Sequence, residues 1–174
     1  MSVTWPLSEN VIRKRKLSNT FGMVRNHGTK PHQGWDLEAP KGTTIYAIGD
    51  GSVVAVLGNS ASKHGYGLQL LLSFEFNGKI YYASYAHLSQ VYVQPEQVIT
   101  MNDMVGATGD SGNEFGFAED ELHLHFEIRT QRSVHQGLAG RISPMQIYGV
   151  CPLHSAIWAD HSPVRQNTGR GPQP

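Results

Sequence analysis

Cysteine is nearly absent from this sequence. The single Cys151 excludes an intrachain disulfide, and a chain of 174 residues can bury an adequate core without one. Net charge is also lacking. Fourteen basic residues cancel fourteen acidic ones, so no bulk field argues for a nucleic-acid partner. No apolar run approaches the ~20 residues of a membrane-spanning helix. The opening Met1-Ser-Val-Thr-Trp-Pro6 has neither a basic start nor an apolar stretch, so no Sec signal is read there. Charged residues make up only 16% against 39% hydrophobic, which excludes wholesale disorder. What the chain does have is nineteen glycines, nine prolines and nine histidines. The first two predict a turn-rich, mainly antiparallel all-β domain.

Residues 1–19 read as an N-terminal extension, with Ser8 placed to cap a short helical stretch running into the basic cluster Arg13–Lys16. The domain proper is expected over 20–150, and 151–174 as a C-terminal tail, disordered from Ser162 onward. Two hairpins are predicted. One joins Thr43–Ile48 to Ser52–Leu57 through Gly49-Asp50-Gly51, and the other joins Gly67–Phe76 to Lys79–Ala86 through Asn77-Gly78. From Leu122 the chain alternates: Leu122, Leu124, Phe126 and Ile128 form one face, and His123, His125, Glu127 and Arg129 the other.

Histidines at i and i+2 on a strand share a face about 7 Å apart, which suits two roles around one metal and equally suits a solvent-facing pair. His32-Gln-Gly-Trp-Asp36 adds an imidazole and a carboxylate across a turn. Two imidazoles and a carboxylate form a common ligand set for catalytic zinc. Tyr85-Ala-His87-Leu ends a strand on a further histidine. His27, His64, His135, His154 and His161 carry no pattern, and Cys151-Pro-Leu-His154 is a metal-like pair without a second pair.

Together, His-x3-Asp, Tyr-Ala-His-Leu and His-Leu-His-Phe-Glu, in this order, resemble the lysostaphin-like (LytM-type) zinc metallopeptidases of bacterial cell walls. Ala39-Pro40-Lys-Gly42, Gly65-Tyr66-Gly67, Gly106-Ala-Thr-Gly109 and Ser143-Pro144 extend the likeness over roughly residues 20–148. The resemblance implies one zinc per chain held by His32, Asp36 and His125, with His87 and His123 as an unliganded catalytic pair. It places Arg25 near the first ligand, where a surface salt bridge is expected. It leaves Glu127 to orient a histidine, since no His-Glu-x-x-His helix is present to supply a glutamate base. The loop Asn113–Glu121 departs from the family and is expected to set acidic side chains on the rim of the groove.

The implied activity is hydrolysis of peptidoglycan stems or cross-links, with a direct cross-link next to diaminopimelate as the preferred substrate. The alternatives are a non-catalytic zinc-binding or activator module and a phage-derived lytic enzyme. A monomer is expected, made in the cytoplasm and acting on the cell wall in the periplasm or outside the cell. Without a Sec signal, an injected antibacterial toxin is one route, which would bring a cognate immunity or inhibitor protein as a partner.

Overall fold

The structure, a computed structural model, describes residues 2–162. The strands are β1 (Glu9–Asn10), β2 (Gly22–Arg25), β3 (Lys30–His32), β4 (Trp35–Glu38), β5 (Thr44–Tyr46), β6 (Gly51–Leu57) and β7 (Leu68–Phe76). They continue as β8 (Lys79–Val91), β9 (Val98–Ile99), β10 (Met104–Thr108), β11 (His123–Arg129), β12 (Arg141–Ile142) and β13 (Ile157–Trp158). A single short helix, α1 (Met145–Tyr148), is found among the described residues. The all-β, antiparallel expectation holds. Nine strands form the main sheet, in the order β12-β11-β8-β7-β6-β9, with β4 on β11 and β5 and β10 attached.

The β7–β8 hairpin forms as predicted, its two-residue turn carried by Asn77 (φ 49°) and Gly78 (φ 74°), the mirror-image geometry that matches strand twist. The first predicted hairpin does not form. β5 pairs with β10, whereas β6 lies between β7 and β9. The Gly49–Gly51 bend therefore carries the chain between different partners within the sheet. Turn chemistry alone cannot distinguish that path from a hairpin.

β4 and β11 set inward and outward faces by simple alternation. Trp35, Leu37, Leu124, Phe126 and Ile128 point into a core shared with Leu70, Leu72, Phe74 and Tyr85. Asp36, His123, His125 and Glu127 occupy the opposite face, which is also buried, because loops cover it. The flanking segments behave differently from expectation. Leu7 and Ile12 are fully buried in the same core, β1 pairs with β13, and Ile12 donates its backbone N–H to the Pro152 carbonyl. Ser8 is exposed and caps no helix; the Arg13–Arg15 and Leu17–Asn19 turns are single 3-10 turns. The expected disorder from Ser162 falls mostly on residues 163–174, which lie outside the described residues.

Two glycines fix the loop after β10. A Cβ on Gly67 would sit 2.3 Å from the Ser111 hydroxyl, and one on Gly112 (φ +73°) would sit 2.3 Å from the Gly65 carbonyl oxygen. Gly112→Ala is therefore expected to cost on the order of 2 kcal/mol, from left-handed strain plus backbone collision. An unchanged urea midpoint would show that this loop is free to shift.

Candidate metal centre

Register creates the site. In the β11–β4 pair His125 lies directly opposite Asp36, and in the β2–β3 ribbon Gly22 lies opposite His32. Facing residues in an antiparallel pair have Cβ atoms roughly 5 Å apart, so side chains on the same face meet. Asp36 Oδ1 is 2.8 Å from His125 Nδ1, 3.0 Å from His32 Nε2 and 3.5 Å from His123 Nε2. Its other oxygen, Oδ2, is 2.8 Å from Arg25 Nη2, so Arg25 makes a salt bridge to a buried carboxylate of the site and not the surface one expected.

The far side of each ring decides what the near side can do. His32 donates Nδ1–H to the Thr20 carbonyl (2.8 Å), and His125 donates Nε2–H to Glu127 Oε1 (3.0 Å). In neutral imidazoles these bonds leave a bare lone pair on His32 Nε2 and on His125 Nδ1, both aimed at the same carboxylate oxygen. Three acceptors converging on one point fit a cation. Such outer hydrogen bonds also orient metal-binding histidines and raise their basicity. His32, Asp36 and His125 are thus the residues that would hold zinc, through two nitrogens and one oxygen.

Glu127 anchors this arrangement. It is fully buried and accepts from Arg129 Nε (2.7 Å), Arg141 Nε (2.9 Å) and the Tyr66 hydroxyl. Burial opposes its charge, but His125 and the two arginines hold its carboxyl far below the usual carboxylate range. Glu127 therefore orients a histidine, as its sequence context implies. Tyr66 was noted only as part of the Gly65-Tyr66-Gly67 segment, without this role, and Arg141 has no sequence pattern around it.

Burial likewise opposes ionisation of Asp36, yet His123, His125 and His32 hold it well below the ordinary value. Burial lowers the pKa of His125, but the two flanking carboxylates, Asp36 and Glu127, outweigh it and push the value up to about 9. The proton on His125 is thus a placeholder for the metal. Its stabilisation of the metal-free protein is complete below pH 6.5 and is lost as pH rises through about 9. Zinc binding at neutral pH is therefore expected to release about one proton, with affinity climbing about tenfold per pH unit across that window. Calorimetry in buffers of different ionisation enthalpy would read the proton directly, and a pH-independent affinity would contradict it.

The other two histidines stand beside this centre, with His87 and His123 ring centroids 5.6 Å apart. His87 has left-handed backbone geometry (φ 61°), at the point where β8 exchanges β11 for β10 as its partner. A non-glycine residue rarely adopts that conformation, and such outliers concentrate at functional sites. It donates Nδ1–H to the Ser111 carbonyl (2.8 Å), and burial, with His125 and His123 adding to it, lowers its pKa to about 3. His123 donates Nδ1–H to the Glu121 carbonyl (3.0 Å). Burial works against its protonation, but Asp36 and Glu114 raise its pKa overall. The structure thus brings all five predicted positions together.

The acidic loop departs from expectation. Glu119 and Asp120 are exposed, but Glu121 is paired with Arg13 and Lys14, so the basic cluster is partly an ion-pair surface. Glu114 is buried, with Oε1 2.7 Å from His123 Nδ1. His87, Glu114 and His123 also place three donor atoms within 4.8 Å of one another. No signal in the loop sequence separates Glu114 from its exposed acidic neighbours.

Comparison with known proteins agrees with this geometry. Peptidoglycan DD-endopeptidase ShyB of Vibrio cholerae serotype O1 is 30% identical over 118 residues, covering 66% of this chain and 25% of its own length. Peptidoglycan DD-endopeptidase ShyA of the same organism is 31% identical over 122 residues, covering 68% and 26%. The chain spans about a quarter of the length of these relatives. In fold, it is similar to the catalytic domain of the antimicrobial peptidase lysostaphin from Staphylococcus simulans (22% identity, 76% of this chain and 90% of that one, TM-score 0.58). It is also similar to a mutant catalytic domain of the prophage-encoded M23 protein EnpA from Enterococcus faecalis (26% identity, 75% and 88%, TM-score 0.55). The model of peptidase family M23 matches residues 30–136, more than half of the sequence and every one of the five converging side chains, and the chain belongs to that family.

Proposed function

We propose that this chain is a zinc-dependent peptidoglycan endopeptidase that hydrolyses direct peptide cross-links next to diaminopimelate. The observation that carries the reading is the convergence of His32 Nε2 and His125 Nδ1 on Asp36 Oδ1, each ring fixed by a hydrogen bond at its far side. In the metal-free protein a proton on His125 bridges this contact, and a cation held by all three donors would take its place. The DD-endopeptidase names of the two Vibrio cholerae relatives support the cross-link as substrate and the cell wall as the place of action.

His32, Asp36 and His125 would hold the zinc, which when bound would supply Lewis acidity toward the scissile carbonyl and lower the pKa of a water. His123 is the general base in this reading. Its Nδ1–H is committed to the Glu121 carbonyl, and its Nε2 faces the centre, so Nε2 takes the proton of the attacking water and returns it to the leaving amine. His87 plays a different part. With Nδ1–H given to Ser111 and its pKa depressed, its Nε2 remains a lone pair that accepts a hydrogen bond and holds the water in line. The groove walls exclude bulk water, since all five side chains are almost fully buried.

The test is mass spectrometry of purified muropeptide dimers incubated with the zinc-loaded protein. Conversion of dimers to monomers with one water added per bond is expected. Intact dimers alongside one bound zinc would instead assign the chain to non-catalytic wall binding.

A further inference from the structure

Glu114 stands outside the ligand set and outside the catalytic pair, yet it is among the most deeply buried charged groups in the protein, 1% exposed. Among the described residues neither of its carboxylate oxygens has an aligned hydrogen-bond donor. Oε1 nevertheless lies 2.7 Å from Nδ1 of His123. A buried carboxylate without full partners costs stability, so its placement needs an account.

The loop supplies one. Gly112 and Gly67 interlock so closely that neither tolerates a Cβ, and Ser111 Oγ accepts from the Leu68 N–H (3.0 Å) and donates to the Leu88 carbonyl (2.8 Å). That clamp fixes the 3-10 turn Gly112–Glu114 and turns the Glu114 side chain inward, while Phe115 and Phe117 on the same loop stay exposed. The same clamp presents the Ser111 carbonyl to His87. One rigid turn therefore addresses both unliganded histidines.

We propose that Glu114 is a positioning residue for His123: with the Glu121 carbonyl, its carboxylate holds the ring so that Nδ1 carries the hydrogen and Nε2 is presented bare to the reacting centre. This rests on the hydrolase reading given above. Two acceptors on one side of an imidazole leave one tautomer and one ring orientation favoured, as a buried carboxylate does behind the histidine of a serine-protease triad. The alternative use of His87, Glu114 and His123 as a second cation site conflicts with this bonding. The Nδ1 atom nearest Glu114 already donates to a carbonyl, as does His87 Nδ1, so neither offers a lone pair there.

The experiment compares wild type with Glu114→Gln and Glu114→Asp. It measures kcat and KM on muropeptide dimers, zinc content, thermal midpoint, and the ring 15N shifts of His123 by long-range proton–nitrogen NMR. Glu114→Gln is expected to lower kcat by about 10–100-fold, the usual cost of losing an orienting partner. KM, zinc content and thermal midpoint should stay at wild-type values, while His123 becomes a mixture of ring tautomers. Glu114→Asp, with its carboxylate withdrawn by one methylene, should fall between the two. Unchanged kcat, or a loss that merely tracks zinc content or thermal midpoint, would overturn the proposal. If the wild type itself cleaves no dimer, the hydrolase reading fails separately, and the His123 tautomer still decides the role of Glu114: a single unaltered tautomer in Glu114→Gln overturns it.

Discussion

Alanine at Asp36 is expected to reduce bound zinc from about one per chain to below about a tenth, and to abolish dimer cleavage with it. Asp36 Oδ1 is the point on which His32 and His125 both converge, so its removal takes away the sole anion among the three donors. Two neutral imidazoles remain, too few to hold the ion. His32→Ala and His125→Ala should act likewise, each leaving one nitrogen and one oxygen. Arg25→Ala is the informative contrast. Arg25 reaches only Oδ2, and zinc content should survive its loss even though Asp36 gains freedom to rotate. Metal analysis after gel filtration reads all four variants, and full occupancy in Asp36→Ala would refute the ligand assignment.

The second large effect separates metal holding from proton transfer. His123→Ala and His87→Ala are expected to keep one zinc and to lose on the order of 10²–10⁴ in kcat, the range for a positioned acid–base group. Neither is among the three ligands, and each donates its Nδ1–H to a backbone carbonyl that remains in place without it. His123→Ala should be the more severe, because it removes the proton acceptor itself, whereas His87→Ala removes a guide for the water. Activity at the wild-type level in either variant would demote that histidine to a wall of the groove.

The five site positions were legible through the family resemblance of three short motifs taken in order, since strand alternation and His-x3-Asp spacing alone left a solvent-facing pair open. His125 meets Asp36 across a ladder whose two strands both announce their faces by alternating apolar residues. Glu127 was legible for the same reason, being two residues along the same face. The β5–β6 hairpin misled because Gly49-Asp50-Gly51 specifies a bend but not the strand on its far side, and β10 competes for β5 from about 60 residues away. Glu114 was illegible because burial of a carboxylate depends on the Gly67–Gly112 interlock, a contact between distant loops. The segment before residue 20 reads as an extension because its apolar residues, Leu7, Val11 and Ile12, lack a repeating period. Only the tertiary structure shows that all three are buried, Leu7 and Ile12 in the main core.

The pairing of β1 with β13 also sets a schedule for making the protein. Asn10 and Ile157 bond across 147 positions, and the backbone of Ser8 receives the N–H of Ala159. Ser8, β1 and Ile12 therefore leave the ribosome long before Pro152 and Ile157–Ala159, to which they bond, exist. At ~5–20 residues per second that interval is roughly 8–30 s, long compared with the collapse of the rest of the sheet. Throughout it the apolar side chains around β1 lack their final partners, so the nascent chain exposes a sticky segment until β13 is made. Slow closure of this seam, rather than assembly of the histidines, would then govern how much of the newly made protein escapes aggregation.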